Sequence, residues 1–185
     1  MLDHVRSFYG AQIDPRRAYV FQNLLRNDQN MAIFGEQRAV AIRELVFFGK
    51  TNLFKGIDVF CDAVDDMLQN GRAPSAVTFL VRLVPVTRNG GGGAGYIARR
   101  TRAWKMSGVK VRLETGHGSE GCVRYLKGSG RLAVMPSRLE NSPTVVLEAI
   151  GNRIPFVATA VGGTPELIDA RDRAHALVPC EVRAL

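Results

Sequence analysis

Cysteine is scarce in this sequence. Three occur in 185 residues, Cys61, Cys122 and Cys180, an odd number with no C-x-x-C among them. That excludes a disulfide-framed scaffold and a paired-cysteine zinc site, and it fits reduced thiols in a cytosolic protein. No apolar run reaches the roughly 18 residues that a membrane helix needs. The stretch Met1-Leu2-Asp3-His4-Val5-Arg6 has no apolar core of the signal-peptide kind. Nor is there a glycosylation acceptor, since Asn141-Ser142-Pro143 does not fit N-x-[ST]. The expected location is the cytoplasm. Acids are also few, 17 against 25 Lys and Arg, for a net charge of +8.

The length suits one domain with a sizeable core. A hydrophobic content of 46% with 23% charged residues is that of an ordinary globular chain. Between residues 98 and 138 lie ten basic residues and two acids, Glu114 and Glu120. Such an excess suits a solvated surface or an anionic partner and does not by itself choose between them. Nothing else in the sequence points to nucleic acid, and no such partner is expected.

Residues 1–43 are polar and irregular, and read as a linker or the remnant of a preceding domain. From Glu44 the pattern changes. Leu45-Val46-Phe47-Phe48 is a short apolar run of the kind buried on both faces of a sheet. Ile57, Phe60, Cys61, Val64, Met67 and Leu68 then form one stripe of an amphipathic helix, closed by Asn70-Gly71. The alternation continues with strands over 77–84, 109–113, 132–135, 155–160 and 176–178. Helices are expected over 96–106, 119–127, from Pro143 to about Gly151 with Asn141 or Ser142 as cap, and from Pro165. Strand and helix taking turns imply a doubly wound α/β domain with a mostly parallel sheet, whose ligands bind beyond the carboxyl ends of the strands.

Two phosphate motifs nearly occur. Gly49-Lys50-Thr51 resembles the end of a P-loop, but position 44 is Glu where the loop requires Gly, which excludes an NTPase of that type. Gly90, Gly92 and Gly95 satisfy G-x-G-x-x-G, with Glu114 ending the next strand, as in a dinucleotide site. The run Gly90-Gly91-Gly92-Gly93-Ala94-Gly95 matches in several registers, however, and lies well beyond its strand. A flexible loop accounts for it better.

The most informative stretch runs from Pro136 to Ala149. Glu140 precedes a helix and Glu148 lies inside it, about 7 to 8 Å beyond Pro143 at a rise of ~1.5 Å per residue. Between them lie the free N–H groups of the first helical turn, suited to an anion. Taken alone, this reads better as a capped helix flanked by two surface acids.

Two further motifs change the balance. Gly162-Gly163-Thr164-Pro165-Glu166 follows the next strand, and Gly49-Lys50-Thr51-Asn52-Leu53-Phe54-Lys55-Gly56 follows the first. With Glu140 and Glu148 as an E-x7-E motif, the chain over about residues 44–179 resembles the C-terminal half of glycosyltransferase family 4, the retaining transferases of GT-B architecture. The resemblance implies a Rossmann-like, nucleotide-sugar-binding domain over residues 44–185, truncated at its C-terminal end. It implies a hexosyl-type transferase acting as part of a larger two-domain enzyme, with the acceptor-binding N-terminal domain missing and the acceptor unknown.

It also assigns residues. Lys50 and Lys55, with the backbone N–H groups of Thr144 and Val145, would hold the donor diphosphate. Glu148 would hold the ribose, Glu140 would contact the sugar as the catalytic residue, and Gly116 and His117 would border the base. No cofactor is expected beyond the donor substrate, and no metal, since the sequence has no D-x-D and lysines with a helix dipole would take its place. Lys50 stands where the family commonly has Arg, which keeps the charge and loses the bidentate grip. The alternative reading is a non-catalytic nucleotide-binding or basic interaction module on the same fold.

Overall fold

The computed structural model describes residues 41–86 and 91–185. The expected linker over 1–43 lies almost entirely outside the described residues, as does Gly90 of the glycine run.

Six strands form one wholly parallel sheet: β1 (Glu44–Lys50), β2 (Ala76–Arg82), β3 (Lys110–Glu114), β4 (Arg131–Met135), β5 (Phe156–Thr159) and β6 (Leu177–Val178), in the order β3-β2-β1-β4-β5-β6. Among the described residues the α-helices are α1 (Ile57–Gln69), α2 (Gly93–Arg100), α3 (Arg102–Met106), α4 (Ser119–Leu126), α5 (Thr144–Gly151) and α6 (Arg173–Ala176). Strand order reverses at β1, which pairs with β2 on one side and β4 on the other.

Alternation along the strands sorts side chains between two cores. Val46, Phe48, Leu80, Ala133, Met135 and Phe156 face one side, where Leu126 of α4, Val146 and Ile150 of α5 and Ala176 of α6 close over them. Phe47, Val77, Phe79, Val81 and Val134 face the other, against Ile57, Phe60 and Val64 of α1, Ile97 of α2 and Trp104 of α3. Helices thus cover both faces of the central strands, which is why β1, β4 and β5 read as apolar runs, whereas the edge strand β3 alternates and stays largely exposed. On the second face Phe60 meets Phe79 edge-on at 5.6 Å, and Phe79 stacks on Trp104 at 6.2 Å. The indole Nε1 of Trp104 donates to Asp65 of α1, so the single tryptophan is fully buried without losing its hydrogen bond.

The structure differs from the sequence expectation in detail. The single helix expected over 96–106 is two, broken at Thr101. Thr101 is fully buried, and its Oγ1 is the one buried side-chain polar atom without a partner among the described residues. The glycine run is not all loop: α2 starts at Gly93, where an added Cβ would lie 2.2 Å from Thr51 Oγ1. Pro143 is the N-cap of α5 rather than its first residue, and a 3-10 turn, Thr164–Leu167, replaces the helix expected from Pro165.

Candidate functional site

A parallel sheet with reversed strand order leaves a crevice at the carboxyl ends of the two strands on either side of the reversal, here β1 and β4. The loop after β1 is pinned first. Thr51 Oγ1 donates to the Val84 carbonyl at 2.7 Å and accepts from Val84 N–H at 2.8 Å. Asn52 then caps a short 3-10 turn, Leu53–Lys55, by accepting from Lys55 N–H at 2.9 Å. Gly56 ends that turn at φ 68°, with its Cα so close to the β4 loop that a Cβ would lie 1.8 Å from the Pro136 carbonyl oxygen. From the other side Arg138 donates its N–H to the Phe54 carbonyl at 2.8 Å, and its guanidinium to the Leu53 carbonyl and to Asp58 of α1. Burial pushes the Asp58 carboxyl up, but the hydrogen bonds and charge of Arg138 outweigh it and hold it below the usual range.

These links bring Lys55 onto Glu140, where its ammonium pairs with Oε1. Ser137 Oγ donates to the same oxygen at 2.6 Å. The side chain of Glu140 is only 9% exposed, so this paired, doubly hydrogen-bonded state is what keeps a carboxylate tolerable there. The loop after β5 supports it from below. Gly162, at φ 53°, packs so tightly that a Cβ would lie 1.6 Å from the Glu140 carbonyl oxygen, and Gly163 N–H donates to that carbonyl at 3.3 Å. The three sequence motifs are therefore mutually packed loops at one end of the sheet.

Helix α5 begins at Thr144 with its N-terminus beside Glu140, and carries Glu148 on its second turn. Glu148 accepts from Ser119 Oγ, the first residue of α4, at 2.7 Å. After β3, Gly116 turns at φ 77° and His117 Nε2 lies 3.1 Å from Glu114. Together these residues line a cleft of about 890 Å³, within the range of roughly 300–1,000 Å³ usual for small-molecule sites.

All eight residues expected from the sequence line this one cleft: Lys50, Lys55, Gly116, His117, Glu140, Thr144, Val145 and Glu148. Sequence reasoning missed Arg82, Ser119, Ser137 and Cys122, which also line it. Ser119 and Ser137 each sit on one of the two glutamates. Ser137 was visible as a hydroxyl three residues before Glu140, but Ser119 is 29 residues from its partner and carried no signal. Burial, with the Glu148 charge behind it, pushes the Cys122 thiol up, away from thiolate reactivity.

A doubly wound parallel sheet with a crevice of this kind at its reversal point defines a Rossmann-like α/β domain. Residues 42–185 match the profile described as "Glycosyl transferases group 1", and the chain belongs to that family of transferases. Solved structures agree in fold. The C-terminal domain of the glycosyl transferase group 1 family protein LpcC from Francisella tularensis aligns with a TM-score of 0.55 at 18% identity, over 78% of this chain and 72% of that one. Sucrose-phosphate synthase from Thermosynechococcus elongatus aligns with a TM-score of 0.55 at 20% identity, over 77% of this chain and 34% of its own. TarM aligns with 0.51 at 16%, over 80% and 27%. The chain thus spans about a third or less of the last two. No curated protein sequence matches it. No helix among the described residues is long and apolar enough to cross a membrane.

Proposed function

We propose that this chain is the donor-binding domain of a retaining, hexosyl-type glycosyltransferase that uses a nucleoside-diphosphate sugar. The observation that carries the reading is the meeting of Glu140, Glu148, the first turn of α5 and Lys50 in one cleft. Free N–H groups and a lysine suit the diphosphate, which leaves as an anion when the glycosidic bond to it breaks. Glu148, held by Ser119, suits a ribose diol through charged hydrogen bonds. Glu140, held by Ser137 and Lys55, suits the hydroxyls of the donor sugar.

Lys55 enters this reading in a changed part: its ammonium is shared with Glu140, so it serves the carboxylate as well as the phosphates. The retaining course rests on the likeness of the E-x7-E motif to family 4, and the absence of a metal requirement on the lack of a D-x-D sequence, with lysines and the helix dipole in its place. The acceptor comes from a second domain across the cleft, and the enzyme works in the cytoplasm.

A thermal-shift panel of UDP, GDP, ADP and their sugars tests this. Ligand at 100 times its Kd adds about 2.7 kcal/mol of stability, an easily read rise in Tm. One nucleotide series should stabilise the chain, with the sugar adding to the diphosphate. Protection by NAD(H) and by none of the nucleoside diphosphates would transfer the site to dinucleotide chemistry.

A further inference from the structure

We infer that Arg82 is a second diphosphate-binding cation of the cleft, paired across the sheet with Lys50. The inference rests on the donor-site reading and goes beyond it, because Arg82 belongs to none of the motifs that suggested that reading. Lys50 and Arg82 are register partners on adjacent parallel strands, and each is the last residue of its strand. Residues two apart on a strand share a face. Phe48 and Leu80, two residues earlier on β1 and β2, both point into the core under α4 and α5. Lys50 and Arg82 therefore extend that row past the end of the sheet, on the face where α4 and α5 bound the cleft, and both line it. Both are exposed, and among the described residues no carboxylate pairs with either.

Charge balance makes this arrangement matter. The diphosphate of a sugar nucleotide is esterified at both ends and keeps an ionised oxygen on each phosphorus. Lys55 shares its ammonium with Glu140, so that pair adds no net charge to the cleft. Lys50 alone leaves the diphosphate half neutralised. Arg82 supplies the other charge, in a planar fork that grips two phosphate oxygens at once. Neutralisation by side chains is what a departing diphosphate needs.

The test is calorimetry on the 185-residue chain and on Arg82→Gln, Arg82→Lys and Lys50→Gln. The probes are UDP, GDP and ADP, the corresponding nucleosides, and inorganic pyrophosphate. Arg82 is exposed at a strand end, so its variants keep the fold, which unchanged Tm values without ligand establish. Arg82→Gln should weaken the bound nucleoside diphosphate and pyrophosphate about tenfold or more, leave nucleoside binding unchanged, and be partly rescued by Arg82→Lys. If Arg82→Gln binds like the wild type while Lys50→Gln is weakened, Arg82 is a solvated surface charge and the inference falls with the donor site intact. Equal losses for nucleoside and diphosphate would place Arg82 on the base or ribose and also overturn it. Should the wild-type chain bind none of the probes, the donor-site reading falls and the inference goes with it.

Discussion

Glu44 and Glu148 sit at opposite ends of the fold and show two uses of a carboxylate. Glu44, at the amino end of β1, is buried and accepts from Thr78 at 2.5 Å, Tyr125 at 2.6 Å, Arg131 at 3.0 Å and Arg112 at 3.3 Å. Burial raises its pKa, but those hydrogen bonds and the Arg131 charge more than reverse it, and the carboxyl titrates below its ordinary 4.5. A depressed folded-state value means stability that is full above the unfolded value and is lost as pH falls through the folded one. Glu44→Gln should cost about 1.5 to 3 kcal/mol at pH 7 and flatten the acid limb, so that variant and wild type converge as pH falls through the depressed folded-state value. Urea unfolding from pH 7 to pH 3 measures this, and parallel curves would count against it. Glu148 instead faces the cleft, and Glu148→Ala should weaken nucleotide-sugar binding by about 1.5 to 3 kcal/mol while sparing pyrophosphate. Equal calorimetric losses for both ligands would remove Glu148 from the ribose. Both cleft glutamates were legible because their spacing is local, one before a helix and one within it. Arg82 was not, because its place beside Lys50 is set by strand register between residues 32 apart in sequence, which no local pattern encodes.

At the scale of elements, the site depends on loops that touch backbone to backbone. Gly56 holds the β1 loop against Pro136, and Gly162 holds the β5 loop against Glu140, both in the left-handed region. Gly71, at φ 68°, ends α1 with open space around it. Alanine at Gly71 carries only the left-handed penalty of ~1 to 2 kcal/mol. At Gly56 or Gly162 the same substitution adds a clash with a carbonyl oxygen, and the loss should exceed that of Gly71→Ala by about 1 to 3 kcal/mol. Gly162→Ala should also weaken sugar-nucleotide binding, because it displaces Glu140. Chemical denaturation of the three variants checks the ranking, and a Gly71→Ala loss equal to the others would show that the contacts relax. The motif glycines were visible in the sequence, but what they approach was not. The central strands were legible from their apolar runs, and α1 from its stripe. The break at Thr101 was hidden because Tyr96 to Met106 keeps helical spacing through it, and the start of α2 because Gly93 gives no propensity signal while it fits against Thr51.

At the scale of the whole molecule, every residue lining the cleft comes from one wall. They lie on the carboxyl ends of β1, β2 and β3 and the loops that follow them, on the loop after β4, and on α4 and α5. On the donor-site reading proposed above, that wall binds the donor. Transfer further requires an acceptor hydroxyl held in line with the anomeric carbon and water kept out. Alignment of two bound reactants supplies ~7 to 11 kcal/mol of barrier lowering, and a wall that binds one of them forfeits most of it. The chain spans 34% of sucrose-phosphate synthase and 27% of TarM in the alignments with those proteins. The 185-residue chain should therefore bind sugar nucleotide, hydrolyse it slowly at most, and transfer nothing measurable. A radiolabelled donor, chosen by the thermal-shift panel and offered with sugar and lipid acceptors, measures both rates. Slow hydrolysis abolished by Glu140→Gln at saturating donor would tie the residual chemistry to the cleft. Robust transfer by this chain would show that its own residues align the acceptor, and that the division of labour between two domains is wrong.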